Sequence, residues 1–583
     1  MENSHTQIPY LKSFSKRNIK LAIRSFSRKE WYIFLGLFIL FIISFLGLLG
    51  KINSKFLVDQ PMPGGSITEG IVGTARFINP ILAFSDTDKD MTNLLYSGLM
   101  RKYPDGSFNP DLAESYEVSK DGLTYTFILK DKIYFHDGSR ITADDVIFTI
   151  NSIKDPLVAS PKKTNWSGVN VEKIDEKTVQ FTLRQPYGAF LENATLGIMP
   201  KAKWENSPLE LNELNTNPIG SGPYQITKVG KQNGGTIDYY NLVSFSKWSL
   251  DKPFIKKITI RFYKNEQELI EALEAGKIEQ ASSISPANAE ILTKKEYRVE
   301  SSTLPRVFGL FFNQNQNQIF TDKSAVMAID KAIDKDKIIR QVLSGYGEVI
   351  DGPLPPSMEH EPSETRELIS KEERIKKTQE FLEKNGWKKG EDGIYEKTST
   401  GKDKKKSTSR LQFSISTGNA PELAQTAELI KEDLEASGMK VEVKTFEVGN
   451  LNQSVIRPRQ YDALLFGEII NNESDLYAFW HSSQRKDPGL NVAIYTNVKV
   501  DKILEDTFKT NDIKARNEKY AEFEKEIKKD NPAVFLYTPK MIYVVSKRLN
   551  GLNLEKTDSL SDRFLSVNTW YTEKDRVWKI FSK

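Results

Sequence analysis

The chain has 583 residues, no cysteine and a formal net charge of +4. The missing cysteine excludes disulfides, thiolate metal sites, a cysteine nucleophile and a lipidated cysteine. With 39% hydrophobic, 11% aromatic and 27% charged residues, the composition is that of a globular protein rather than a disordered one.

The charge is concentrated at the start. Lys12, Lys16, Arg17, Lys20, Arg24, Arg28 and Lys29 stand against Glu2 and Glu30, so residues 1–30 carry +5 and the remainder sums to −1. No basic surplus is left there for nucleic acid. Residues 31–50, WYIFLGLFILFIISFLGLLG, hold no charge and one weakly polar side chain, Ser44. As a helix this run rises roughly 30 Å, the thickness of a bilayer's hydrocarbon core. The apolar run of a cleaved signal peptide is only ~7 to 15 residues and ends in a small-x-small site. This one is longer and ends Leu46-Gly47-Leu48-Leu49-Gly50-Lys51. The reading is an uncleaved signal anchor in the cell membrane, with a cytoplasmic basic tail (1–30) and the rest of the chain outside. Residues 51–64 read as a juxtamembrane linker.

From Gly65 the pattern is mixed α/β. Leu123, Tyr125, Phe127 and Leu129 alternate as a strand, and Lys130-Asp131-Lys132 predicts a hairpin into Ile133-Tyr134-Phe135. Thr142 and Asp145 form a capping box ahead of a helix from about Ala143. Val179, Phe181 and Leu183 alternate again. Pro218-Ile219-Gly220-Ser221-Gly222-Pro223-Tyr224 specifies a rigid backbone path. Ile258, Ile260 and Phe262, then a helix with Leu269, Ile270 and Leu273, a stop at Gly276 and a strand over 277–281 predict a βαβ unit.

The later half repeats this grammar. Helices are expected over 323–343 and 363–385; Leu411, Phe413 and Ile415 form a strand; a helix opens at Pro421 and ends at Gly438; Val441 and Val443 alternate again. Lys402 to Lys406 reads as a solvated hairpin tip. Ile513, Tyr520, Phe523 and Ile527 line a helix that ends before Pro532. Without a fixed-period repeat, two α/β lobes are expected rather than a solenoid.

Catalytic signatures are missing. The histidines are His5, His136, His360 and His481, with no metal-ligand spacing, and there is no G-x-S-x-G elbow, P-loop or dinucleotide fingerprint. The expectation is a protein that is not an enzyme and uses no cofactor or metal. His136 reads as part of a tight turn. Trp480-His481-Ser482-Ser483 offers an apolar plate beside polar groups, suited either to a ligand pocket or to the core.

In order, the segments PDLAESYEVSKDGLTYTFILKDKIYFHDGSRITADDVIFTI, NPIGSGPYQI, AIDKAIDKDKIIRQVLSGYGEVIDGPLPP, GWKKGEDGIY, YDALLFGE and FWHSSQ resemble the family 5 extracellular solute-binding proteins, the peptide-type receptors of ABC importers. Phe135 to Val146 is the most specific part. The resemblance implies a bilobed periplasmic-binding-protein-like α/β receptor with a split first lobe, 65–305 plus 540–583, and a second lobe, 306–539. The crossings fall near Leu304 to Phe312 and near Phe535 to Val545. It further implies that Ala463 to Ile469 is an edge strand offering its main chain to a peptide, an ABC permease being the partner.

By matching Tyr461-Asp462 and Gly467, the aspartate that receives a peptide's amino terminus in the family's oligopeptide receptors falls at Asn471. The usual tryptophan is Glu468 and the usual arginine Leu465. Glu468 or Glu473 are alternative sources of negative charge, and Arg457 or Arg459 are candidates for a carboxylate. The expected ligand-binding set is Gly467, Glu468, Ile469, Asn471, Trp480, His481, Arg457, Tyr224 and Tyr537. Two other readings stay open: a receptor or sensor for a non-peptide solute such as an oligosaccharide or metal chelate, and a cell-surface hydrolase.

Overall fold

The computed structural model describes residues 27–358, 368–400, 406–508, 510 and 512–578. His5, His360, Lys402 to Lys405 and the first residues of the helix expected over 363–385 lie outside the described residues. The chain forms two compact units, one of residues up to Met62 together with those from Glu573, the other Pro63–Thr572.

In the first unit, Ser27 and Glu30 close a capping box at the start of helix Arg28–Phe56. This helix is long and apolar enough to cross a membrane, and none of its apolar window is buried. It passes directly into strand Leu57–Met62, which pairs antiparallel with Glu573–Trp578, from Leu57↔Trp578 to Met62↔Glu573. The structure thus corrects two expectations. Residues 51–64 are not a loose linker, and 573–578 pair here rather than with the split lobe. The prolines that suggested a linker are compatible with this ribbon, because a strand paired on one side tolerates a missing N–H at Pro61. Lys574 and Arg576 reach Asp59 at 2.6 and 3.5 Å.

The second unit is built on a twelve-stranded sheet. Its main path runs Lys440–Phe446, Gln412–Gly418, Ala463–Ile469, Arg306–Phe312, Ala533–Val545, Gln280–Ala281, Gly64–Val72, Ile255–Tyr263, Ile237–Ser244 and Tyr224–Lys231. Strand Ala533–Val545 is the pivot. Its start pairs with Arg306–Phe312 (Phe311↔Ala533, Phe308↔Tyr537), and its end with Arg298–Thr303 (Thr303↔Lys540, Arg298↔Val545). The sequence AVFLYTPKMIYVV is apolar on both faces, as a central strand requires. Its proline falls where the partner changes: Leu304 N donates to Pro539 O (3.0 Å), and the Thr538 hydroxyl donates to Leu304 O (2.7 Å).

Period-two alternation then sorts the cores. Leu310, Phe312, Val534 and Leu536 enter one cluster, while Val307, Phe311, Ala533 and Phe535 enter another on the opposite face. The largest cluster takes Ile67, Phe127, Phe181 and Tyr240 from the early chain together with Tyr543, Phe564 and Trp570 from its end.

Most expected elements form. Helix Ala143–Lys154 carries the Thr142–Asp145 box. Strands Ile255–Tyr263 and Gln280–Ala281 lie parallel to Gly64–Val72, one on each side, with helix Glu266–Glu274 between them in sequence. Gln412–Gly418 and Lys440–Phe446 are parallel across helix Pro421–Ala436. The hairpin differs. Strand Thr124–Leu129 pairs with Ala113–Val118 and Thr178–Leu183, not with residues 133–135. Ile133 and Phe135 instead drop their side chains into the core, which satisfies the same apolar pattern without a strand.

Candidate ligand cleft

A hollow of about 550 Å³ is lined by residues from Pro80 to Asp111, by Lys162 and Glu192 to Gly197, by Asp558 to Leu565, and by the tips of two central strands. Asp86, Lys89 and Asn93 come from helix Asp86–Leu95, Asp558 and Asp562 from the stretch after the pivot strand, and Arg306, Ile469 and Asn471 from the other half. A larger hollow of about 900 Å³ runs over Gln412–Gly418 and Lys440–Phe446. It lies at the outer end of the sheet alone, whereas the smaller hollow gathers residues from widely separated parts of the chain and is the stronger candidate.

Local chemistry fixes the walls. Ser85 and Asp88 cap helix Asp86–Leu95. Its far end is clamped by the Pro218–Tyr224 run, where the backbone N–H groups of Ser221 and Gly222 both donate to Leu95 O at 2.9 Å. A Cβ at Gly220 would stand 1.8 Å from Leu95 O, so only glycine allows this approach. His136 locks the same run: its Nδ1 accepts from Gly220 N (3.3 Å), and its Nε2 donates to Gly222 O (3.2 Å). Burial pushes this ring's pKa down to about 4, which keeps it neutral and structural, as the sequence suggested.

The cleft carries charge of both signs. Lys89, Lys162 and Arg306 supply positive charge beside Asp86. Burial lowers Lys162 and Arg306, and the buried Nε of Arg306 makes no hydrogen bond among the described residues. Lys102 bonds Asp558 and, at 3.2 Å, Asp562. Glu192 and Asp475 stand nearby, both raised chiefly by burial and also by the Asp558 charge. Asn472 Nδ2 donates to Glu192 Oε2 (3.2 Å), and Asn471 N donates to Asp475 Oδ2 (2.8 Å). A negative charge therefore stands one helical turn after Asn471 rather than on it.

Of the nine expected ligand residues, only Ile469 and Asn471 line this hollow. Gly467 sits opposite Phe308, whose ring a Cβ would meet at 2.7 Å; packing of Phe308 on Tyr537 (4.9 Å) accounts for it. Glu468 is buried, and burial drives its carboxyl well above the usual range. Among the described residues, neither Glu468 Oε2 nor Trp480 Nε1 completes a hydrogen bond. Trp480 is core, packed on Phe311, Tyr495, Phe523 and Phe535.

The remaining candidates are also occupied elsewhere. His481 stacks on Tyr477 at 4.1 Å and bonds Ser483 Oγ at 2.8 Å. Tyr224 is buried, with its hydroxyl on Ile255 O (3.0 Å), and Tyr537 is buried beneath Phe308. Arg457 is paired with Asp487 through two bonds of 2.8 and 3.1 Å. Glu473 is held by Arg516 (2.6 Å), and Arg459 donates to the carbonyls of Ile456, Arg485 and Gly489.

The expected edge strand is also narrower than its sequence implied. Ala463 and Leu464 pair with Ile415 and Ser416, and the Thr417 hydroxyl takes Leu465 O. Beyond them, among the described residues, Phe466 to Ile469 have a strand partner on one side only, Arg306 to Gly309. Sequence reasoning did not single out Arg306, Lys162, Glu192 and Asp558, which line the hollow, or Asp475, which accepts from Asn471 N beside it. Asp475 alone carried a local signal, standing four residues after Asn471 in a first helical turn.

This is the architecture of a bilobed α/β solute receptor, with its hollow between two halves that share a central strand. The model for bacterial extracellular solute-binding proteins, family 5 middle, matches residues 107–488, and the chain belongs to that family, the solute receptors of ABC importers. It is 29% identical over 536 residues to the oligopeptide-binding protein AppA of Bacillus subtilis (strain 168), covering 90% of this chain and 94% of that one. Among solved structures, that of AppA from Bacillus subtilis in complex with a nonapeptide aligns with a TM-score of 0.63 at 26% identity, over 88% of this chain and 99% of the other. NikZ from Campylobacter jejuni in complex with Ni(L-His) aligns with a TM-score of 0.66 at 26% identity, over 87% and 99%. The protein is accordingly a binding receptor and not an enzyme.

Proposed function

We propose that the chain is a membrane-anchored receptor that captures peptides outside the cell and delivers them to an ABC permease. The observation that carries this reading is the half-open strand Phe466 to Ile469, which ends in a hollow lined by carboxylates together with Arg306 and lysines. A peptide main chain can add to that edge, giving affinity that depends little on side chains. Its ammonium group is met by Asp475 and Glu192, in the role expected of residue 471. Its carboxylate meets Arg306, whose Nε lacks a partner. The oligopeptide-binding relative supports the ligand class. The +5 tail and apolar helix support an anchor with the receptor outside.

The lobes are assigned to 65–305 with 540–572 and to 306–539, moving about Leu304-Pro305 and Thr538-Pro539. Closure buries the ligand and marks the form that the permease accepts. A small zwitterionic chelate is the second reading, favoured by the paired charges of the cleft and by the Ni(L-His) complex of NikZ. Native mass spectrometry of the purified full chain, followed by calorimetry with free and N-acetylated peptides, tests both. A co-purified peptide and preference for the free amine are expected; a co-purified chelate with no peptide binding would replace the first reading by the second.

A further inference from the structure

The helix Arg28–Phe56 does not stop at the end of its apolar run. It continues for six residues beyond Gly50, about 9 Å of rise, before becoming strand Leu57–Met62. The headgroup layers extend a bilayer from ~30 Å of hydrocarbon to ~40 to 45 Å in total. Residues 51 to 56 therefore traverse the headgroup layer.

The last strand returns to this level. Its register sets Trp578 opposite Leu57, the ribbon residue nearest the helix, and Glu573 opposite Met62, the farthest. The Trp578 indole leans further back: Nε1 donates to Asn53 Oδ1 at 2.7 Å, and the ring stacks on Phe56 at 6.3 Å. Trp578 is 48% exposed and Phe56 54%. An apolar ring with one polar edge is suited to a bilayer interface, and Lys55 in the last turn of the helix can reach lipid phosphates.

We infer that strand Glu573–Trp578 carries a second membrane contact: the Trp578 indole, held by Asn53 and Phe56, sits in the lipid headgroup layer and secures the C-terminal end of the chain to the outer face of the bilayer. This rests on the anchor reading above. It extends that reading from the span to the strand paired beside it.

Tryptophan fluorescence separates the two. Of the eight tryptophans, Trp166, Trp204, Trp248, Trp387, Trp480 and Trp570 are buried, leaving Trp31 and Trp578 exposed. The full chain is reconstituted in phosphatidylcholine vesicles, with or without acyl chains brominated near the headgroup end, and the quenched emission is compared among wild type, Trp31→Phe and Trp578→Phe. Each substitution is expected to remove roughly half of the lipid-quenched signal. If Trp31→Phe lowers it and Trp578→Phe leaves it unchanged, the indole lies in water or against protein; the inference is overturned and the anchor stands. If neither lowers it, the anchor reading fails and the inference falls with it.

Discussion

Arg563 grips Asp90 through two parallel bonds, Nη1 to Oδ1 at 2.8 Å and Nη2 to Oδ2 at 2.6 Å, with both side chains almost wholly buried. Its Nε meets Glu69 Oε1 at 2.8 Å, and Tyr543 donates to the other oxygen of Glu69 at 2.7 Å. Four distant stretches of chain thus meet at one guanidinium. Removing one partner of such a network leaves uncompensated buried charge, at a cost of about 3 to 5 kcal/mol. Arg563→Met should therefore lower stability by that amount in chemical denaturation. Adding Asp90→Asn should recover part of it; no recovery would mean that lost packing, not stranded charge, sets the cost.

The carboxylate next to Asn471 gives a test at the cleft. Asp475→Asn should weaken free-amine peptides relative to their N-acetylated forms by about 1 to 2 kcal/mol if the pair is largely dry. Because Asp475 also accepts from Asn471 N, a melting curve must accompany the titration. Equal weakening of both peptides would assign Asp475 to shaping the loop. Asn471→Asp adds a charge where Glu192, Asp475 and Asp558 already crowd, so its gain for free amines should fall below what an isolated new pair gives.

Beside Ile469, Arg306→Met removes a guanidinium whose Nε has no partner among the described residues. It should reduce affinity for a peptide acid about tenfold, ~1.4 kcal/mol, and leave the matching peptide amide nearly unaffected. Calorimetry with the pair decides it, and equal losses would place the ligand's carboxylate elsewhere.

Two buried groups give opposite pH dependences. Glu468 is raised by burial, so its contribution to stability is complete below its unfolded pKa of ~4.3 and is lost as pH rises toward the folded value. Glu468→Gln should therefore gain on wild type between pH 5 and pH 8. His136 is pushed down to about 4, so its contribution is complete above ~6.5 and is lost as pH falls toward 4, by roughly 2 kcal/mol after allowing for its partial exposure. His136→Gln should flatten that acid limb in denaturant titrations. A limb unchanged by the substitution would assign it to other groups.

If the lobes hinge at Leu304-Pro305 and Thr538-Pro539, ligand should compact the molecule. Small-angle scattering of the full chain in nanodiscs, with and without peptide, should show a smaller radius of gyration for the complex. Proven binding with an unchanged profile would make the receptor a rigid platform.

What the sequence disclosed follows from the range of each interaction. Caps, turns and alternation are local, so the Thr142–Asp145 box, the Pro218–Tyr224 clamp and both βαβ-like units were legible. The pairing partner of Thr124–Leu129 was not, because Ile133 and Phe135 show the same alternation whether they join a strand or point into the core. The site was the least legible part. The family motif pointed to the strand that brings Ile469 and Asn471 to the hollow, whereas Glu468 is turned inward by that strand's alternation and Trp480 by the packing of helix Glu473–Trp480 on the aromatic core. Arg306, Glu192 and Asp558 meet only through folding, over separations that no motif spans.

Strand Ala533–Val545 also sets a timetable for biosynthesis. A chain made and exported from its N-terminus presents Glu69, Asp90 and Arg306–Phe312 long before the residues that complete them. Until Val534 and Leu536 emerge, one half lacks a sheet neighbour; until Tyr543 and Arg563 emerge, the other holds two acids without their cation. Neither half can close its core early, so both cores stay incomplete until nearly the whole chain has been made.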